Sequence, residues 1–231
     1  MLAISDRTII LFGAGGHAKS VISVLLAQGK WQLAGLLEEG GREMGKRVLG
    51  YPVLGDLDEL DPLMKKGITK AMVCIGTNPV RARISDLLIS RGFELVSILH
   101  PTAFLMTDCV VGKGSFFHAH SLIGPKCHVG LSTVVQPFTS LGHEGRIGNF
   151  VHFCPGSHIG GKVTIGDLCF FGPGAVVYPC ITIGRNVSVG ANAVVDQDVP
   201  DDAVVIGNPA KIVHVKSHTS KTKPPIITRK S

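Results

Sequence analysis

From residue 111 onward an apolar side chain returns at every sixth position. The row runs from Val111, Phe117 and Ile123 to Val189 and Val195, fifteen positions without a slip in register. In a chain with 45% hydrophobic residues, chance would give such a run on the order of once in 10⁵. Gly follows directly in ten of the fifteen cases. Two places earlier lies a second row, from Cys109, Ser115 and Ser121 to Val187 and Ala193, that is small or β-branched throughout. One large and one small inward residue per hexad predict a solenoid of parallel β-coils, each hexad a strand and a corner.

Residues 7–99 follow a different rhythm. "RTIILFGAGG" predicts a buried strand entering a Gly-rich turn, and "HAKSVISVLLAQG" a helix closed by Gly29. "WQLAGLLEE", "KAMVCIG" and "ELVSILHP" predict three more strands. "GYPVLGDLDELDPLMKKG" predicts a turn and short helix, and "NPVRARISDLLISRG" a helix with Pro79 near its start. Strands alternating with helices imply a small Rossmann-like parallel sheet. The fold class is therefore α/β plus β-solenoid, with an α/β domain over 1–100 and a β-helix over 101–212.

Composition changes this picture in two places. The net charge of +6 comes entirely from residues 211–231; the other 210 residues carry 17 basic and 17 acidic side chains. The body thus lacks a nucleic-acid footprint, and residues 213–231 are expected to form a basic, disordered tail. No apolar run is long enough to span a bilayer, and the N-terminus lacks signal-peptide features, so a cytoplasmic protein is expected. The six Cys form no CxxC pair. Three of them, Cys109, Cys127 and Cys169, fall in the small inward row and are expected to pack rather than react.

The candidate chemistry lies in "LGHEGRIGNFVHF", residues 141–153. His143 and Glu144 follow inward Leu141 and belong near a corner. His152 precedes inward Phe153 and should point outward. Nine residues are half a coil, so one prism places the two His on different faces, each spanning roughly 20 Å. Two adjacent subunits could bring them together. At the N-terminus "GAGGHA" fits a dinucleotide fingerprint, with Glu38 and Glu39 about 20 residues on. The sheet, however, is too short to offer NAD a second nucleotide-binding half.

Taken together, "ILFGAGGHAKSV", "CIGTNPVRARI", "LGHEGRIGNFVHF" and "GNPAKIV" resemble the hexapeptide-repeat sugar acyltransferases. The branch resembled includes the sialic acid O-acetyltransferases and the nucleotide-linked 4-amino-sugar N-acetyltransferases of bacillosamine and perosamine type, over residues 7 to about 212. The resemblance implies a left-handed β-helix of three hexads per coil, about five coils and about 25 Å tall. It also implies a homotrimer with active sites between subunits, direct transfer from acetyl-CoA and no metal. His143 then corresponds to the general base and Glu144 to the acid that supports its charged form; a His, with an ordinary pKa near 6.5, can take a proton at neutral pH. His152 corresponds to a residue near the thioester. Gly172 is expected to give a backbone N–H to the oxyanion. Pro209 and Lys211, in the closing motif, join the cofactor-binding set.

For the sugar nucleotide, the resemblance implies contacts from Gly13, Gly15, Gly16, His17, Glu38 and Glu39. Gly76, Asn78 and Arg81 form a second loop in which Arg81 is expected to meet a phosphate. Gln136 stands where the family often has Asn. His118, His120, His128 and His158 match no role and are expected at the surface. The expected reaction is N-acetylation of a nucleotide-linked 4-amino sugar. Its rivals are a sialic-acid-type sugar O-acetyltransferase, which needs the same base and fold, a γ-type carbonic anhydrase, which would need a zinc site but no Gly-rich domain, and a nucleotide-sensing module without turnover.

Overall fold

The structure, a computed structural model, describes residues 4–216. The N-terminal sheet is built from β1 (Thr8–Phe12), β2 (Gln32–Leu37), β3 (Arg47–Val48), β4 (Tyr51–Gly55), β5 (Lys70–Val73) and β6 (Glu94–Leu95). Their order is β3-β4-β2-β1-β5-β6, and all neighbours are parallel except β3 and β4. Helix α1 (Gly16–Gln28) packs on one side of the sheet through Ala18, Val21, Ile22 and Leu25. Helices α2 (Leu60–Lys65) and α3 (Asn78–Ser90) bury Leu60, Leu63, Ile84 and Leu88 on the other. Gly29 ends α1 in the left-handed conformation (φ 64°), and its N–H caps the Leu25 carbonyl, as the sequence implied.

Two expectations need correction. "GYPVLG" is not a turn: it forms β4, which joins the sheet beside β2 through Leu36 and Val53. The single strand read in "ELVSILHP" is two strands in two domains. Glu94–Leu95 closes the first sheet, whereas Ile98–Leu99 pairs with Phe116–Phe117 as the first rung of the solenoid. Between Glu94 and His100 only Ser97 is polar, so hydrophobicity gave little hint of the break at Val96 and Ser97.

The solenoid has three parallel faces. The docking face runs through Ile98–Leu99, Phe116–Phe117, Val134–Val135, His152–Phe153, Phe170–Phe171 and Ser188–Val189. The second face starts at Phe104–Leu105 and the third at Val110–Val111. Partners along each face differ by 18 residues, as in His152 with Phe170 and Arg146 with Thr164. The chain turns at every sixth residue from Asp108 to Asn192, each with positive φ. The large inward row is buried, with Phe153 and Phe171 stacked 4.9 Å apart. The small row ties down corner carbonyls: Cys127 donates to Gly142 and Thr133 to Gly148, at 2.8 and 3.2 Å.

The chain closes with an antiparallel hairpin, Ala203–Ile206 with Lys211–Val215. Val213–Val215 therefore belong to a strand and not to a tail. The Lys216 ammonium anchors this end on Asn186 and Ser188. The remainder of the expected tail, from residue 217, lies outside the described residues.

The two domains share a core. The outward residues Ile98, Phe116 and Val134 of the docking face are fully buried beneath α1. At the corner between the third and docking faces, the Arg81 side chain is 0% exposed. Its Nε donates to the Ser132 carbonyl (2.8 Å), and its two terminal nitrogens to the carbonyls of Ile75, Gly76 and Phe150 and to Asn78 Oδ1. Asn78 in turn donates to the Leu168 and Cys169 carbonyls. Ser132, Phe150 and Leu168 are one coil apart, so the start of α3 reads three successive corners.

Replacing Arg81 by Leu would strand several buried carbonyls, each costing about 1–3 kcal/mol. We expect Arg81→Leu to lose at least about 3 kcal/mol and to split one denaturation transition into two. A single transition at wild-type denaturant concentration would show that the domains are held by apolar contact alone.

Candidate active site

His143 and Glu144 lie at the corner between the second and third faces, both exposed. Glu144 is the left-handed corner residue (φ 57°). His143 Nδ1 is 3.0 Å from Glu144 Oε1. A carboxylate can only accept, so Nδ1 carries the proton and Nε2 keeps its lone pair. That is the tautomer a base needs. The His143 hydrogen bond, aided by the nearby charges of Lys162 and Lys126, holds the Glu144 carboxyl below the usual carboxylate range despite the opposing effect of desolvation. Gly161, one coil below, leaves room for the ring: a Cβ there would come within 2.7 Å of His143 Cδ2 and overlap Nε2. An open cavity of about 620 Å³ adjoins Glu144, walled by Asp108, Lys126, His128, Arg146 and Lys162.

His152 lies on the docking face, half a coil away, so one chain does not assemble it with His143. It points outward as expected, but it is only 8% exposed because the N-terminal domain covers it. Its Nδ1 donates to the Gly76 carbonyl at 3.2 Å. The His17 ring, at the second position of α1, is 6.2 Å away, and its Nε2 is enclosed without a partner. Burial pulls His152 down to about 4, with Arg81 adding to the effect. Burial pulls His17 down to about 3, with His152, Arg81 and His118 adding.

The Gly-rich turn divides by role. A Cβ at Gly13 would press within 2.8 Å of the Cys74 carbonyl, so that glycine serves the packing of β1 against β5. Gly15 and Gly16 face open space. No side chain caps α1 at Gly15 and no acid lies in its first turn, which leaves backbone N–H groups for an anion. At the end of β2, Glu38 accepts from the Glu43 N–H (3.1 Å) and Glu39 pairs with Arg83 (2.6 Å).

Three expected roles are not compatible with the structure. Arg81 cannot meet a phosphate, since every N–H is engaged by protein and the side chain has no exposed surface. The Asn78 side chain is likewise engaged, and the Gly76 carbonyl holds His152, so this loop is a docking device. The Gly172 N–H donates to the Val189 carbonyl at 2.8 Å and is not free for an oxyanion. Gln136 is half-buried at the corner between docking and second faces. Pro209 and Lys211 lie in the terminal hairpin, Lys211 exposed.

The sequence reading also missed residues. His118 is not a surface residue: it is half-buried at the edge of the interdomain cleft, edge-on to Phe116. Its 18-residue spacing from His100 and Gln136 was the available signal. Among the described residues no group of three or more His, Cys, Asp or Glu is placed to hold a metal, and no helix is long and apolar enough to cross a membrane.

Comparison with known proteins adds three findings. Residues 8–88 match the model of the PglD N-terminal domain, and 144–179 and 162–197 match that of the bacterial transferase hexapeptide repeats. The chain superposes on PerB from Caulobacter crescentus, solved with CoA and GDP-perosamine, with a TM-score of 0.86 and 33% identity over 92% of this chain and 100% of that one. The chain belongs to this family of hexapeptide-repeat acetyltransferases. The acetyltransferase domain of PglB from Neisseria gonorrhoeae FA1090 is similar at 30% identity, TM-score 0.84, over 90% of this chain and all of that one. The left-handed β-helix behind a Rossmann-like domain is thus the family fold. Among curated sequences, UDP-N-acetylbacillosamine N-acetyltransferase of Bacillus subtilis is 27% identical over 49% of this chain and 52% of its own. GDP-perosamine N-acetyltransferase of Escherichia coli O157:H7 is 30% identical over 46% and 48%. Each of these two matches spans about half of the relative's length.

The buried histidines imply an acid limit. A His with a lowered folded pKa takes up a proton first in the unfolded state, near pH 6.5, so the stability it confers above that pH is lost on acidification. For His152 the window is from about 6.5 down to about 4. Each such group contributes a slope of at most about 1.4 kcal/mol per pH unit. Denaturation between pH 7 and 5 should show falling stability in the wild type and a flatter dependence in His152→Asn. Parallel curves would remove His152 as a cause.

Proposed function

We propose that the protein transfers an acetyl group from acetyl-CoA to the amine of a nucleotide-linked 4-amino sugar, in the synthesis of a surface glycan. The observation that carries this reading is the His143–Glu144 pair, with its proton on Nδ1 and its open Nε2. The names of the curated relatives, both N-acetyltransferases of nucleotide-linked amino sugars, support it.

In the reaction His143 Nε2 takes the proton of the attacking amine as nitrogen forms its bond to the thioester carbonyl carbon. Glu144 stabilises the resulting imidazolium. Collapse of the tetrahedral adduct breaks the C–S bond, and the imidazolium returns its proton to the thiolate. The nucleotide lies at the Gly-rich turn, its phosphates toward the uncapped start of α1. The basic wall of Lys126, Arg146 and Lys162 beside Glu144 suits a polyanionic coenzyme.

The working unit in this proposal is a homotrimer. His143 is exposed at one corner and the substrate cleft opens at another, so a second copy completes the site. Exposed Phe104 (58%) and Phe138 (62%), on and beside the second face, favour such self-association.

The test is coenzyme A thiol release with UDP- and GDP-linked 4-amino sugars and with free sialic acid. Release with one amino sugar, reduced about 10²–10⁴-fold in His143→Ala, is the expected outcome. Release with sialic acid alone would move the assignment to O-acetylation; no release with any acceptor would overturn it. Gly161→Ala should keep the trimer but lower kcat by about 10²-fold, because it displaces the base by about 1 Å. An unchanged kcat there would mean that His143 does not act from this position.

A further inference from the structure

An unbroken line of rings crosses the cleft between the domains. His100 and His118 lie parallel, 6.3 Å apart and one coil apart in sequence. His118 meets Phe116 edge-on at 5.8 Å, and Phe116 meets His17 at 5.3 Å. His17 then faces His152 at 6.2 Å, and His152 faces Phe170 at 5.5 Å. Toward one end, His152 is buried under the N-terminal domain, with exposed Phe170 beyond it; the other end, His118 and His100, is half-buried and opens to solvent.

The protonation pattern of the open end is fixed by the backbone. His118 Nδ1 accepts the Ala119 N–H at 2.7 Å. His100 Nδ1 accepts the Thr102 N–H at 3.1 Å and lies 2.9 Å from its hydroxyl. That hydroxyl oxygen itself accepts from the His120 N–H, so its hydrogen is available for His100. With Nδ1 an acceptor in both rings, both Nε2 atoms carry hydrogen. Among the described residues neither Nε2 donates to the protein. Burial, with His100 adding, holds His118 below its ordinary range and therefore neutral at pH 7.

Two parallel, uncharged N–H donors suit sugar oxygens better than a phosphate, which calls for cations or a helix start. The uncapped start of α1, next to His17, supplies the phosphate end, and His118 follows beyond Phe116, two rings further along. We propose that His118, backed by His100, receives the hexose of the sugar nucleotide and determines which sugar is accepted. The proposal rests on the acetyl-transfer reading above. It assigns sugar contacts to two histidines that the sequence gave no role.

The experiment compares wild type, His118→Phe and His118→Gln with acetyl-CoA and the accepted nucleotide amino sugar, and with the bare nucleoside diphosphate by calorimetry. Phe keeps the ring without the donor; Gln restores a donor at the same reach. His118→Phe is expected to raise KM for the sugar nucleotide at least 10-fold, leave KM for acetyl-CoA within two-fold, and leave nucleoside diphosphate affinity unchanged. His118→Gln is expected to recover most of the loss. Unchanged sugar KM in His118→Phe overturns the proposal, as does equal weakening of nucleoside diphosphate and nucleotide-sugar binding, which would mark a structural role. A wild type that turns over no amino sugar overturns the acetyl-transfer reading itself, and the sugar assignment falls with it.

Discussion

The arrangement of the two domains depends on one buried guanidinium. Arg81 has no exposed surface, and burial pulls it down to about 9, which still leaves it charged at neutral pH. A buried cation is tolerated only when its donors are all met. Here they are met almost wholly by backbone carbonyls, two of them, Ser132 and Phe150, at corners one coil apart. A solenoid offers such carbonyls in a row because each coil repeats the last. The clamp fixes α3 against the corner, and with it the height at which α1 lies over the docking face. His17 and the Gly-rich turn inherit their position over the cleft from that contact.

The same 18-residue coil decides where the chemistry falls. Pro125, His143, Gly161 and Pro179 form one column along a corner, and Lys126, Glu144 and Lys162 the next. The His143 ring stands out from the prism because the residue beneath it, Gly161, has no side chain. Its carboxylate occupies a left-handed position that costs roughly 1–2 kcal/mol in an L-residue, and the coil imposes that conformation at every sixth residue. The pair is thus held by the fold without burial, exposed at the corner.

Much of this was legible in the sequence because the period is strict. Every sixth apolar residue placed the faces, and the row two residues earlier correctly set Cys127 and Cys169 inward. The corner position of His143 and Glu144 followed from simple counting, as did their separation from His152. What failed were contacts between distant segments. Arg81 lies 51 residues from Ser132 and 69 from Phe150, and an Arg after a Gly-rich turn reads equally well as a phosphate ligand. Gly172 looked available until the ladder claimed its N–H. "ELVSILHP" was read as one strand because Leu95, Val96, Ile98 and Leu99 form a nearly continuous apolar run, although its two strands belong to different cores.

Charge separates the two halves of the proposed reaction. The groove beside Glu144 carries Lys126, Arg146 and Lys162, whereas the interdomain cleft is lined by imidazoles that burial holds neutral. Arg81 is the nearby cation, and its charge is wholly engaged by carbonyls and an amide. On the proposed reading, a polyanionic coenzyme meets its attractive field on the third face, and a sugar nucleotide meets the helix start and uncharged N–H donors in the cleft. The Arg81 charge adds to burial in lowering both His17 and His152. On the proposed reading, imidazoles kept uncharged by the docked domains leave the two substrates in separate places.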